Sequence, residues 1–150
     1  MNENKRKLIV ELRKNGKKKL TEISRDLNIP VSTVFDTVKS LEKKEIIKHQ
    51  AHVNFEKIGY PLQVIFTLKT SSEKKQELGD YLKENQNVNS IFEINNNSDY
   101  LIETFFKNHK EYHKFLTNLE LEYPIINKTT HNIIDTIQKE HMFTKSHHFT

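Results

Sequence analysis

Cysteine is absent from this 150-residue chain. That excludes a disulfide framework, a thiolate zinc finger and cysteine catalysis, and it fits a reducing cytoplasm. Long apolar runs are absent too. In the opening MNENKRKLIVELRKNGKKK only Leu8-Ile9-Val10 interrupts the charge, which is too short for a signal peptide or a membrane span. Positive charge is scarce in the second half. Residues 1–50 hold 13 Lys and Arg against 7 Asp and Glu, a net of +6, whereas residues 51–150 hold 11 against 13, a net of −2. Basic charge confined to one end argues for phosphate contact and counterion release there rather than for general solubility. A Lys run such as Lys17-Lys18-Lys19, taken alone, is an ordinary solvated face.

What is present is patterning. Residues 20–47, LTEISRDLNIPVSTVFDTVKSLEKKEII, read as two short helices joined by a tight turn. Thr21 is expected to cap the first, Ile23 and Leu27 to be its buried positions, and Pro30 to stop it by disfavouring helical geometry at Ile29. The second is expected over residues 31–44, with Val34, Val38 and Leu41 at i, i+4, i+7 forming one buried stripe. This is the pattern of a helix-turn-helix DNA reader. The opposite face supplies the candidate DNA contacts: Ser32, Thr33, Asp36 and Ser40 toward base edges, Lys39 and Lys43 toward phosphates. Phe35 borders both faces. Core packing is the expected fate of a helix-spaced aromatic, and contact with a thymine methyl is the alternative.

A helix over roughly residues 4–15 precedes the motif, with Leu8, Ile9 and Leu12 on one side and Gly16 as a left-handed cap. After the motif, Ile47, Ala51, Val53 and Phe55 alternate, which predicts an extended strand ended by Gly59-Tyr60-Pro61. The second half opens with a strand through Leu62, Val64, Phe66 and Leu68, and Ser71-Ser72 starts a helix bearing Leu78, Tyr81 and Leu82. Residues 88–94 and a strand through Tyr100, Ile102, Thr104 and Phe106 make a hairpin about Asn95-Asn96-Asn97-Ser98. A helix over residues 109–119 and a last strand over 126–137 follow. The order β-α-β-β-α-β is the ferredoxin-like arrangement, so the expected fold is α+β: an N-terminal winged helix-turn-helix and a C-terminal ferredoxin-like domain with an antiparallel sheet. One sheet face is left uncovered within a chain, and a homodimer or higher homo-oligomer is expected to cover it. The expected boundaries are 1–50 for the DNA reader, 51–60 for a linker strand, 61–138 for the oligomerisation and effector domain, and 139–150 for a mobile tail.

The stretch LEKKEIIKHQAHVNFEKIGY leaving the helix-turn-helix, a turn ending Asp99-Tyr100 and a final INKTTHNII resemble the Lrp/AsnC family of leucine- and asparagine-responsive regulators. The resemblance covers residues 3–138. Leu27, Val34, Val38, Leu41, Ile46-Ile47, Gly59 and Asp99-Tyr100 fall where the family pattern has them. It implies a winged helix-turn-helix bound to double-stranded DNA and a C-terminal domain that forms dimers and larger assemblies and takes an amino-acid effector. It implies no cofactor, no metal, no membrane partner and no catalytic residue. The effector turn corresponds to Asn95, Asn96, Asn97, Asp99 and Tyr100. There Asp99 would pair with a ligand ammonium while turn amides receive its carboxylate; the other reading has Asp99 capping the turn. Four positions depart from the family, which usually has Ser at Pro30, Arg at Thr37, Gly at Glu45 and Gly at Asn96. Losing the Arg removes a phosphate clamp or ion pair, Glu45 adds negative charge near DNA, and Asn96 puts a side chain where a ligand would lie.

Two other classes compete with a sequence-specific regulator. A Lys-rich domain with few bidentate readers also suits an architectural protein that coats DNA. The haem-pathway enzyme siroheme decarboxylase shares the outline, but its Arg-Arg-Phe-Gly run would align with Lys48-His49-Gln50-Ala51, where the basic pair is not preserved. His109 and His113 stand i, i+4 on one helix, a metal-ligand spacing, yet two ligands are too few and two exposed histidines are the expectation. His141, His147 and His148 fall in the aperiodic tail.

Overall fold

The computed structural model describes residues 1–145, so His147 and His148 lie outside the described residues. It forms two compact units, Met1–His52 with the segment that begins at Ile137, and Val53–Thr136. In the first unit, α1 (Glu3–Lys14) is N-capped by Asn2, whose side-chain oxygen accepts from the Lys5 amide at 3.0 Å. Its end corrects the expectation for Gly16, which does not adopt a left-handed conformation. Asn15 turns the chain instead, its Oδ1 accepting from the Lys17 amide at 3.0 Å. The second helix, α2 (Leu20–Leu27), starts one residue before the expected cap Thr21, because the Lys19 carbonyl closes the first turn and Leu20 packs on the core. Asn28, left-handed at φ 52, ends it: the Asn28 amide donates to the Arg25 carbonyl and the Ile29 amide to the Ser24 carbonyl, satisfying two of the last four carbonyls of the helix. Pro30 then leads into α3 (Val31–Lys43). Leu8, Ile9, Ile23, Val34, Val38 and Leu41 form the buried centre of these three helices, each contributing about 1.5–3 kcal/mol by leaving water.

The helix α3 ends in the same device as α2. The Ile46 amide reaches the Leu41 carbonyl and the Glu45 amide the Glu42 carbonyl, with Glu45 itself left-handed at φ 54. The strand expected over residues 47–55 is not in any ladder among the described residues. Its alternation serves two separate packings: Ile47 lies against the three-helix core, and Phe55 stacks on Phe105 in the second unit at 4.0 Å.

In the second unit the strands are β1 (Leu62–Thr70), β2 (Val88–Glu93), β3 (Tyr100–Phe106) and β4 (Ile125–Asn132), with helices α4 (Lys75–Glu84) and α5 (His109–Glu122). The sheet order is β2-β3-β1-β4 and every neighbouring pair is antiparallel, the ferredoxin-like topology. Alternate residues Val64, Phe66 and Leu68 of β1, with Ile102 and Phe106 of β3, pack under Leu78 and Leu82 of α4 and Phe115 and Leu119 of α5. The intervening residues Gln63, Ile65, Thr67 and Lys69 point to the sheet face opposite α4 and α5. Strand β4 stops at Asn132, short of the expected 137, because β1 begins at Leu62 and offers one more acceptor, the Gln63 carbonyl, to the Ile133 amide. Among the described residues no helix is long and apolar enough to cross a membrane.

Candidate nucleic-acid interface

The buried stripe of α3 fixes which side of the helix faces water. Val34, Val38 and Leu41 point inward, so Ser32, Thr33, Asp36, Lys39 and Lys43 are exposed and Ser40 is half-buried. Phe35 corrects the packing expectation: it is 46% exposed, and the Lys39 Nζ sits 4.6 Å from its ring centroid. A helix-border aromatic is buried only if a neighbouring element reaches it, and α1 and α2 meet α3 in a core of Val34, Val38 and Leu41 that does not include Phe35. Val31, 47% exposed, joins this row and was not singled out from the sequence; only its i, i+4 spacing to Phe35 could have flagged it.

The turn that presents α3 is braced from within. The Ser24 hydroxyl donates to the Ile29 carbonyl at 2.6 Å. Lys18 bridges α1 and α2, pairing with Glu11 and, at 2.5 Å, with Asp26. Hydrogen bonding to Asp26 and then Glu11 pushes the Lys18 ammonium far above its usual range, while Lys14 and Lys18 hold the Glu11 carboxyl down. Lys18 is therefore committed to holding the two helices, and exposed Lys17 and Lys19 beside it remain on the surface. At the far end of α3, Glu42 pairs with His49 at 3.1 Å.

The described part of the C-terminal tail joins this unit. The Arg13 guanidinium donates to Glu140 Oε2 at 2.9 Å, to the Glu140 carbonyl at 2.8 Å and to the Met142 carbonyl at 3.1 Å. The Arg13 hydrogen bond and charge hold the Glu140 carboxyl below its ordinary range. Val10, three residues before Arg13, is buried although it lies outside the three-helix core. Nothing in the aperiodic tail signalled this contact.

In the second unit the turn over Asn95, Asn96 and Asn97 is exposed, with Asn96 and Asn97 both left-handed at φ 60 and 63. Asp99 is buried and engaged: Oδ2 accepts from the Thr70 amide at 2.9 Å and Oδ1 from Lys69 Nζ at 3.1 Å. Burial pushes its carboxyl up, but the Thr70 amide and the Lys69 ammonium together outweigh burial and hold it below the ordinary range. Tyr100 lies under α4, its hydroxyl donating to the Lys75 carbonyl at 3.0 Å. His109 and His113 are exposed, and among the described residues no three metal-ligating side chains come together.

Comparisons with known proteins agree with this geometry. The winged helix-turn-helix DNA-binding family matches residues 1–48. The HTH-type transcriptional regulator FL11 of Pyrococcus abyssi is 30% identical over 112 residues, covering 74% of each chain. The HTH-type transcriptional regulator LrpA of Pyrococcus horikoshii is 36% identical over 88 residues, which is 57% of this chain and 62% of LrpA. The fold also matches a transcriptional regulator of Neisseria meningitidis solved as its L-methionine complex, with a TM-score of 0.85, 18% identity and 93% of each chain covered. A winged helix-turn-helix joined to a ferredoxin-like domain, and matched along most of its length by such relatives, makes the chain a member of the Lrp/AsnC family of DNA-binding transcriptional regulators.

Proposed function

We propose that the protein regulates transcription by laying α3 in the major groove of double-stranded DNA, with residues 1–50 as the reader and residues 61–138 as the assembly domain. It acts in the cytoplasm by binding and not by catalysis. The observation that carries this reading is the outward face of α3: Ser32, Thr33, Asp36 and Lys39 are exposed on a helix whose other side is locked into a core. Short polar side chains reach base edges there, and Lys43 reaches the backbone. Half-exposed Ile65 and Leu101 and exposed Phe92 on the sheet face opposite α4 and α5 support a dimer through that face. Two readers related by a two-fold axis would meet half-sites about one helical turn, or a multiple, apart.

A second element of the proposal is an amino-acid response, favoured by the likeness to the L-methionine-bound regulator. Both oxygens of Asp99 already have partners, so we place ligand contacts on exposed Asn95, Asn96 and Asn97, with Asp99 and Tyr100 forming the floor. One binding assay tests both elements. Duplexes enriched from a random pool are measured with the native chain and with Ser32→Ala, in the presence and absence of each standard amino acid. Ser32→Ala is expected to shift preference at one base pair by about 1–3 kcal/mol, and at least one amino acid to change affinity. Unaltered base preference refutes the assignment to α3, and indifference to every amino acid refutes the effector.

A further inference from the structure

Two apolar side chains stand in water on a helix that otherwise turns only polar groups outward. Val31 is 47% and Phe35 46% exposed, and neither belongs to the core of the first unit. With Lys39 they form a row at i, i+4, i+8 along one flank of the reading face. The Lys39 ammonium lies 4.6 Å from the Phe35 centroid, a cation–π contact that ties ring and charge together. In the major groove every base pair offers donors and acceptors, but only thymine adds a methyl group. An apolar side chain pressed on a donor or acceptor leaves that group without a hydrogen bond, which is unfavourable. Pressed on a methyl, it removes apolar surface of both partners from water.

We infer that Val31 and Phe35 read thymine methyls, so that the protein selects duplexes carrying two thymines about two base pairs apart. This rests on α3 being the helix that enters the groove. The spacing follows from geometry: four residues rise about 6 Å along a helix, against about 3.4 Å per base pair. Lys39, steered by the Phe35 ring, then meets the phosphate that flanks the second thymine. Asp36, the next residue around the helix from Phe35, accepts from an exposed amino group of cytosine or adenine and sets the orientation.

The test uses the full chain and duplexes enriched from a random pool. Each thymine in turn is replaced by deoxyuridine, which loses the methyl and keeps the hydrogen-bonding edge. At two positions the replacement is expected to weaken binding about four-fold each, the contribution of one buried methyl. Phe35→Ala is expected to bind the thymine and deoxyuridine duplexes alike at one of those positions, and Phe35→Leu to keep the difference. Lys43→Ala should weaken both duplexes equally. Unchanged thermal unfolding of Phe35→Ala, expected for an exposed side chain, shows that the fold is intact. Enriched duplexes indifferent to deoxyuridine overturn this inference alone, and a loss of affinity by Phe35→Ala without methyl sensitivity would make Phe35 a wedge between base steps. A chain that enriches no duplex overturns the reading of α3 as well.

Discussion

Asp99 spends both carboxylate oxygens inside its own domain, on the Thr70 amide and the Lys69 ammonium. Removing the carboxylate leaves a backbone donor in a buried site without its acceptor, so Asp99→Ala is expected to cost about 1–3 kcal/mol. The pH dependence has a definite sign. The folded carboxyl is held below its ordinary range, so its stabilising contribution is complete above that range and is lost as pH falls through the folded value. Urea unfolding at neutral pH and in acid is predicted to show a native-minus-Asp99→Ala difference that shrinks with acid; a difference that grows would refute this account. Glu45 makes a different point at the same scale. The family pattern has glycine there, and the structure puts Glu45 at φ 54, where an L side chain costs about 1–2 kcal/mol. Its departure from the pattern was legible in the sequence, and its strain was not, because no neighbouring residue marks the left-handed position. Phe35 was misjudged for a related reason. It stands roughly a quarter turn from the centre of the stripe, and whether such a residue is covered depends on where the next helix passes.

Elements were legible wherever a periodic run met a clear stop. Helix α3, the hairpin of β2 and β3, and helix α5 lie close to the expected ranges because buried positions and caps agree. Ends set by a partner were not legible: β4 stops where β1 runs out, and residues 47–55 alternate without entering a ladder. The contact between α4 and β3 was also hidden, since it depends on one atom. A methyl group at Gly79 would lie 2.6 Å from the Tyr100 hydroxyl, which is pinned to the Lys75 carbonyl. Gly79→Ala therefore gains about 1 kcal/mol of helix propensity and loses more to crowding, typically 1–3 kcal/mol. The expected outcome is net destabilisation in Gly79→Ala, partly relieved when Tyr100→Phe removes the hydroxyl, and a double-mutant cycle by denaturant unfolding reads the coupling. Additive effects would show that α4 does not sit against Tyr100 as described.

Across the whole molecule, charge and exposed apolar surface are segregated. The +6 half carries helices α1, α2 and α3, and the −2 half carries the four-stranded sheet with α4 and α5 packed on one face. The charge difference and the β-α-β-β-α-β order were readable from the sequence, because neither needs tertiary information. The tail on α1 was not, because Arg13 and Glu140 meet only after the chain has folded. The central claim is that α3 reads DNA with sequence preference, and salt decides it. Affinity of the full chain for an enriched duplex and for a random one is measured across a range of salt, with Lys43→Ala alongside. The account predicts a preference for the enriched duplex of at least about a thousand-fold, maintained as salt rises, and a salt slope reduced by about one unit in Lys43→Ala on both duplexes. Equal affinity for the two duplexes at every salt concentration, with Lys43→Ala indistinguishable from the native chain, would contradict it.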